Sequence, residues 1–350
     1  MAIKKSFFGY INGNVPIDLY RITNKNGASV ALQTLGAGVQ SLYMPDREGK
    51  LSDVVLGFDN PQDYLNPDYG YQGLTVGRWA NRIRNGHFVF DGKEYNTPKN
   101  QGSWTLHGGG RFSFTPWKVA ETGDNYIVFE RFSPDGEDGF CGNFTMRVRY
   151  TLTDDNTLRI EYSVMSDIDT VANPTNHSYF NLSGRADSTI EEHYLEIFAD
   201  EFTETDENQL PTGELGRVEG TMMDFTFPHK IGDRIDEPFR AIIDGIGYDN
   251  NYCLRNKSGS LEKCAVLEDR ESGRVMEVYT DLPAVQLYCG GWLKKDYTAG
   301  KGENIVKFRR GVALETQFYP DTVNFPQFPL RSVKAGEEFK TVTEYRFFVK

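Results

Sequence analysis

The segment Phe144-Thr145-Met146-Arg147-Val148-Arg149-Tyr150-Thr151-Leu152 alternates apolar and polar residues without a break. Asp154-Asp155-Asn156 interrupts it, and the alternation resumes at Leu158, Ile160, Tyr162 and Val164. A period of two puts every second side chain on one face of a strand. Two such runs joined by turn residues read as a half-buried antiparallel hairpin. Outward from it, Phe88-Val89-Phe90, Asp91-Gly92 and Lys93-Glu94-Tyr95 form a second hairpin with a favoured Asp-Gly turn. Tyr126 to Phe132, Arg274 to Thr280 and Tyr345 to Val349 read as further strands. Long amphipathic helical patterns are nearly absent. Asn60-Pro61 marks the start of one short helix that ends before Pro67. The stretch from Asp200 to Asp224 is polar, alternates poorly and reads as a long loop around a sheet edge. No linker, charge block or internal repeat divides the chain. The expectation is an all-β protein, a single large antiparallel β-sandwich over residues 1–350.

Composition narrows the functional classes. Of 350 residues, 39% are hydrophobic and 13% aromatic, enough for a sizeable core and against global disorder. The formal net charge of -12 repels phosphate backbones and anionic lipid, so neither nucleic acid nor a membrane is expected as a partner. Cys141, Cys253, Cys264 and Cys289 form no C-x-x-C pair and read as free buried thiols. No apolar run approaches signal-peptide or membrane-spanning length, so a cytoplasmic location is the default expectation.

Four segments carry candidate chemistry. In Asn173-Pro174-Thr175-Asn176-His177-Ser178-Tyr179-Phe180-Asn181-Leu182 a histidine sits among hydrogen-bonding and aromatic side chains. Histidine exchanges a proton near neutral pH, and aromatic faces can stack on a sugar. Taken by composition alone, the segment reads more readily as a satisfied structural histidine in a turn. In Leu106-His107-Gly108-Gly109-Gly110 the glycines allow close backbone approach to a ligand, or merely form a turn. The run is similar to the oxyanion loop of lipases, but that reading needs a G-x-S-x-G elbow, and the chain has none. In Val76-Gly77-Arg78-Trp79-Ala80-Asn81-Arg82-Ile83, Asn81 and Arg82 offer fixed donors for sugar hydroxyls, or a structural ion pair. In Val312-Ala313-Leu314-Glu315-Thr316-Gln317-Phe318-Tyr319-Pro320-Asp321, Glu315 interrupts an apolar strand. It is either buried and paired or faces a pocket, and burial raises its pKa from about 4.3. Asp321 reads as a turn former. Two weaker segments place Asp249 between Tyr248 and Tyr252, and Gln286 on a strand.

Other signatures are missing from the sequence. It holds no phosphate-binding P-loop and no dinucleotide fingerprint beyond the fragment Gly36-Ala37-Gly38. The five histidines, His87, His107, His177, His193 and His229, show no metal-site spacing, so no metal is expected.

Six segments in order resemble the aldose 1-epimerase (galactose mutarotase) family. They are Gly77-Arg78-Trp79-Ala80-Asn81-Arg82-Ile83, Leu106-His107-Gly108-Gly109, Asn176-His177-Ser178-Tyr179-Phe180-Asn181-Leu182, Gly247-Tyr248-Asp249, Gln286-Leu287-Tyr288 and Leu314-Glu315-Thr316-Gln317. The resemblance implies the galactose mutarotase-like supersandwich, with a sugar bound in an open cleft. It implies Glu315 as general base and His177 as general acid. His107 is implied near the ring oxygen, and Asn81, Arg82, Asp249 and Gln286 as the sugar-binding set. No cofactor is implied, and the expected ligand is a small monosaccharide bound by a monomer or homodimer. The sequence departs from the family pattern at Asn250, at Cys289-Gly290-Gly291 and at Phe318.

The implied chemistry is interconversion of the α and β anomers of a free hexose such as galactose or glucose. A pyranose opens when its anomeric hydroxyl loses a proton and its ring oxygen gains one. Rotation about C1–C2 and reclosure give the other anomer. Attraction between a carboxylate and an imidazolium would raise the His177 pKa and lower that of Glu315, and burial would push both the other way. Two rival readings use the same fold. One is a non-catalytic carbohydrate-binding or sensing module, which needs no acid–base pair. The other is a glycosidase or lyase acting on oligosaccharides; glycoside hydrolysis usually needs two carboxylates flanking the bond.

Overall fold

The computed structural model describes residues 3–185 and 187–350. The hairpin that decides the fold class is present as strands Phe144–Leu152 and Thr157–Ser166, paired antiparallel from Phe144↔Ser166 to Leu152↔Leu158. Phe144, Met146, Val148, Tyr150 and Leu152 are all fully buried on one face. Each such side chain contributes roughly 1.5–3 kcal/mol when removed from water. The Asp-Gly hairpin also forms, from His87–Phe90 and Lys93–Asn96, with Asp91 and Gly92 at φ 49° and 72°. Positive φ at both central residues is what that two-residue turn demands.

Three sheets organise the chain. Residues 4–53 form a five-stranded antiparallel meander in sequence order. A nine-stranded sheet runs from Lys118–Thr122 through the Phe144–Ser166 hairpin, Phe339–Val349, Arg274–Thr280 and Glu262–Glu268 to Tyr194–Ile197 and His229–Lys230. A six-stranded sheet has the order Tyr179–Phe180, Val312–Gln317, Ala284–Tyr288, Asp249–Leu254, Ala199–Thr205, Pro211–Arg217. The nine- and six-stranded sheets pack face to face, as in a sandwich. Val148, Ile160 and Tyr345 from one meet Leu314, Val285, Leu287 and Tyr252 from the other in a single apolar cluster. The Tyr345 hydroxyl crosses that layer to donate to the Leu314 carbonyl at 3.0 Å.

Two local expectations need correction. Asp200 to Asp224 is not a loop around the edge: strands Ala199–Thr205 and Pro211–Arg217 within it form the edge hairpin of the six-stranded sheet. Register shifts between Ala199 and Glu201 and between Thr203 and Thr205 break its alternation, and an edge strand stays polar. The helix at Asn60-Pro61 is a 3₁₀ turn, Pro61–Leu65, capped by Asn60 Oδ1 accepting from the Gln62 amide at 2.9 Å. Among the described residues the one α-helix is Arg240–Gly245, which the sequence reading omits. All four cysteines are buried free thiols, as expected. No helix among the described residues is long and apolar enough to cross a membrane.

Candidate active site

The six-stranded sheet supplies the floor of the site. In Val312–Gln317, Leu314 faces the apolar layer, so its neighbour Glu315 faces the other way. Gln286 lies directly across from Glu315, and Asp249 across from Tyr288 on the next strand pair. Both faces of these strands are buried, and that is why a carboxylate appears inside an apolar run.

Two loops supply the walls. Arg82-Ile83 pairs antiparallel with Thr105-Leu106, bringing Asn81 beside His107. The His107 amide donates to the Asn81 carbonyl at 3.0 Å, and the Asn81 amide donates to His107 Nδ1 at 3.2 Å. A neutral His107 therefore carries its proton on Nε2, as a fixed donor. Both residues sit at positive φ, 63° and 49°. Gly108 follows at φ 62°, and a Cβ there would lie 2.4 Å from the Gly77 carbonyl oxygen, so the turn requires glycine. His177 follows the short strand Thr175–Asn176, its backbone bonded to Leu74 and Gly73. Its ring stacks on Tyr179 at 4.8 Å between centroids, with Tyr71 at 6.3 Å.

These elements enclose a cavity of about 310 Å³. Asn81, Arg82, His107, His177, Asp249 and Glu315 all line it. His177 Nε2 is 3.5 Å from Glu315 Oε1. Arg82 Nη2 reaches Gln209 Oε1 at 2.8 Å and Asp249 Oδ2 at 3.5 Å. Gln286 stands behind the wall: its Nε2 donates to Asp249 Oδ1 at 2.7 Å. Among the described residues, His177 Nδ1, Glu315 Oε2 and Arg82 Nε have no hydrogen-bond partner in the protein. Asp321 lies outside the cavity, as a turn former at φ 57°, its Oδ1 accepting from the Arg84 amide and Asn324 Nδ2. The departures at Asn250, Cys289 and Phe318 are buried and do not line the cavity.

Burial decides the electrostatics. Desolvation lowers His177 to about 3. It raises Glu315 well above 4.5, helped by the nearby Asp249 charge and opposed by Arg82. His107 falls well below 6.5 through burial, His177 and Arg82. Of the two competing effects, desolvation therefore outweighs ion-pair attraction between His177 and Glu315. Burial alone favours a neutral imidazole beside a protonated carboxyl.

His107, His177 and Glu315 also offer ligand atoms within 4.8 Å of one another. Binding a cation through His107 Nε2 would displace the proton that the Asn81 amide fixes there. The group suits proton transfer better than metal ligation.

The aromatic residues Tyr71, Tyr179, Tyr288, Trp292 and Tyr297 also line the cavity and were not singled out from the sequence. Tyr179 and Tyr288 lie inside quoted segments, and their outward register was the available signal. Tyr71 and Trp292 come from loops without periodicity, where glycine neighbours were the only hint.

The comparisons with known proteins bear on this site. The aldose 1-epimerase family model matches residues 18–346. Galactose mutarotase from Bos taurus is 42% identical over 317 residues, covering 90% of this chain and 89% of that protein. Aldose 1-epimerase from Escherichia coli is 34% identical over 340 residues, 96% of each. The crystal structure of an aldose epimerase homologue from C. elegans matches with a TM-score of 0.84 at 31% identity, covering 99% of both chains. The chain belongs to the aldose 1-epimerase family.

Proposed function

We propose that this protein is an aldose 1-epimerase that interconverts the anomers of a free hexose such as galactose or glucose. Glu315 acts as general base and His177 as general acid. The observation that carries this reading is the buried His177–Glu315 contact of 3.5 Å, set in a 310 Å³ cavity that Asn81, Arg82 and His107 also line. That volume lies at the small end of ligand pockets, about 300–1,000 Å³, and suits one sugar ring. Asn81, Arg82 and Asp249 hold ring hydroxyls. Gln286 orients Asp249. The fixed Nε2–H of His107 donates to the oxygen on which charge develops.

The pair works with one proton between its members. Before ring opening the proton is on His177 and Glu315 is a carboxylate. Glu315 takes the anomeric proton as His177 protonates the ring oxygen, which leaves a carboxyl and a neutral imidazole. Burial favours that second arrangement, so the low-dielectric site lowers the cost of opening the ring. Reclosure runs the transfers backwards. We further propose that residues 1–350 form one domain, because all three large sheets contribute to one apolar cluster.

Polarimetry on freshly dissolved α-galactose and α-glucose tests the activity. Relaxation to the equilibrium rotation faster than in buffer supports the reading and ranks the two sugars. Saturable sugar binding with an unaccelerated relaxation would replace it with the binding-module reading.

A further inference from the structure

Arg82 and Asp249 face the same cavity, and both are needed for sugar only if they do not satisfy each other. Their side chains are 8% and 10% exposed, so their attraction is weakly screened. Such a pair tends to close into a bidentate bridge. Here it stands open at 3.5 Å. Two amide side chains hold it apart. On one side Gln286 Nε2 takes Asp249 Oδ1 at 2.7 Å. On the other, Gln209 Oε1 takes Arg82 Nη2 at 2.8 Å.

Gln209 comes from a distant part of the chain, the turn between the edge strands Ala199–Thr205 and Pro211–Arg217. Asp206 shapes that turn: its Oδ1 accepts from the amides of Asn208 and Leu210, and its carbonyl accepts from the Gln209 amide. Arg84 pins the turn against the cavity wall through Asp206 Oδ2 at 3.0 Å and the Pro211 carbonyl at 2.8 Å. Gln209 itself sits at φ 58°, a conformation in which glycine or asparagine is at less cost. Turn geometry therefore does not explain glutamine here. The residue is 5% exposed, and its side chain reaches the guanidinium.

We propose that Gln209 is a positioning residue for sugar binding, which acts by holding the Arg82 guanidinium away from Asp249. This rests on the proposed function, in which Arg82 and Asp249 bind the sugar. Gln209 does not line the cavity and takes no part in proton transfer. Its removal weakens binding and spares the chemical step.

The test is a double-variant comparison with galactose, reading KM and kcat by polarimetry and Kd by calorimetry. Gln209→Leu should raise KM and Kd about tenfold with kcat within about twofold, the factor carried by one hydrogen bond to a charged group. Gln209→Glu keeps the acceptor oxygen and should return both toward wild type. In an Arg82→Lys background, Gln209→Leu should add nothing, because the effect runs through Arg82. Wild-type KM in folded Gln209→Leu, or an undiminished effect in the Arg82→Lys background, overturns the proposal. If the leucine variant does not fold, Gln209→Asn keeps a turn-compatible residue and loses the reach, with the same outcomes expected. A wild type that binds galactose without accelerating mutarotation would refute the proposed function, while the Kd comparison would still decide Gln209. A wild type that does neither would overturn both.

Discussion

Glu315 and His177 show how burial turns ordinary side chains into a reactive pair. Each is under 5% exposed, and each is pushed toward its neutral form. The sign of the resulting pH dependence follows. The pair is active with one proton. It gains a second as pH falls through the His177 value of about 3, and loses the first as pH rises through the raised value of Glu315. With spontaneous mutarotation subtracted, kcat/KM for galactose should show no acid limb near about 6.5, where an exposed histidine would titrate, because His177 takes up its proton only near 3. An acid limb centred near 6.5 would contradict burial control of the pair. At this scale much of the site was legible: six of the seven residues singled out for it line one cavity. Glu315 was visible because it interrupts an apolar strand, His107 because it heads a glycine run, and His177 because a titratable ring sits among hydrogen-bonding and aromatic side chains. Gln286 was placed with the sugar-binding set but stands behind Asp249, because strand register fixes a face and not the reach of a side chain. Tyr71 and Gln209 escaped notice, because their proximity to the site arises from contacts between segments far apart in sequence.

At the scale of elements, the loop from Gly77 to Arg82 depends on Arg78. That residue is 1% exposed and donates to the carbonyls of Ser133, Pro134, Cys141 and Gly142 and to the Ser133 hydroxyl. It locks the loop carrying Asn81 and Arg82 onto the turn after strand Tyr126–Ser133. Removing the guanidinium leaves several buried acceptors without a donor. Arg78→Met should lower stability by about 3 kcal/mol or more, measured as a loss in the urea midpoint. An unchanged midpoint would show that the loop holds itself. Strong alternation made the central strands readable from sequence, from Phe144 to Val164. The edge hairpin at Ala199–Arg217 was misread for the opposite reason, since its bulges put Phe202 and Thr203 in the interior side by side. The helix Arg240–Gly245 spans six residues, too few for a periodic signal.

At the scale of the whole molecule, the fold buries three histidines: His107, His177 and His193. All three are pushed down by desolvation, His177 to about 3 and His193 to about 4. Their unfolded-state values lie near 6.5, so as pH falls below that the unfolded chain takes up protons that the folded chain refuses. Stability should therefore decline from about pH 6.5 to 5, less steeply than three histidines alone would give, because folded Glu315, raised well above 4.5, and Asp321, raised to about 6, hold protons there that the unfolded chain does not. Chemical denaturation across that window measures it, and a flat midpoint would contradict neutral burial of the histidines. The sandwich itself followed from period-two patterning, whereas the order of strands in the two large sheets did not. Neighbours such as Thr157–Ser166 and Phe339–Val349 pair across long stretches of chain that no local pattern encodes.

The central claim is that Glu315 and His177 carry the two proton transfers. Anomer-exchange NMR on galactose at equilibrium, comparing wild type with Glu315→Gln and His177→Asn, tests it most directly. Both variants should fold, and each should lose about 10²–10⁴-fold in exchange rate, the usual contribution of a positioned acid or base. Wild-type exchange in folded Glu315→Gln would contradict the account.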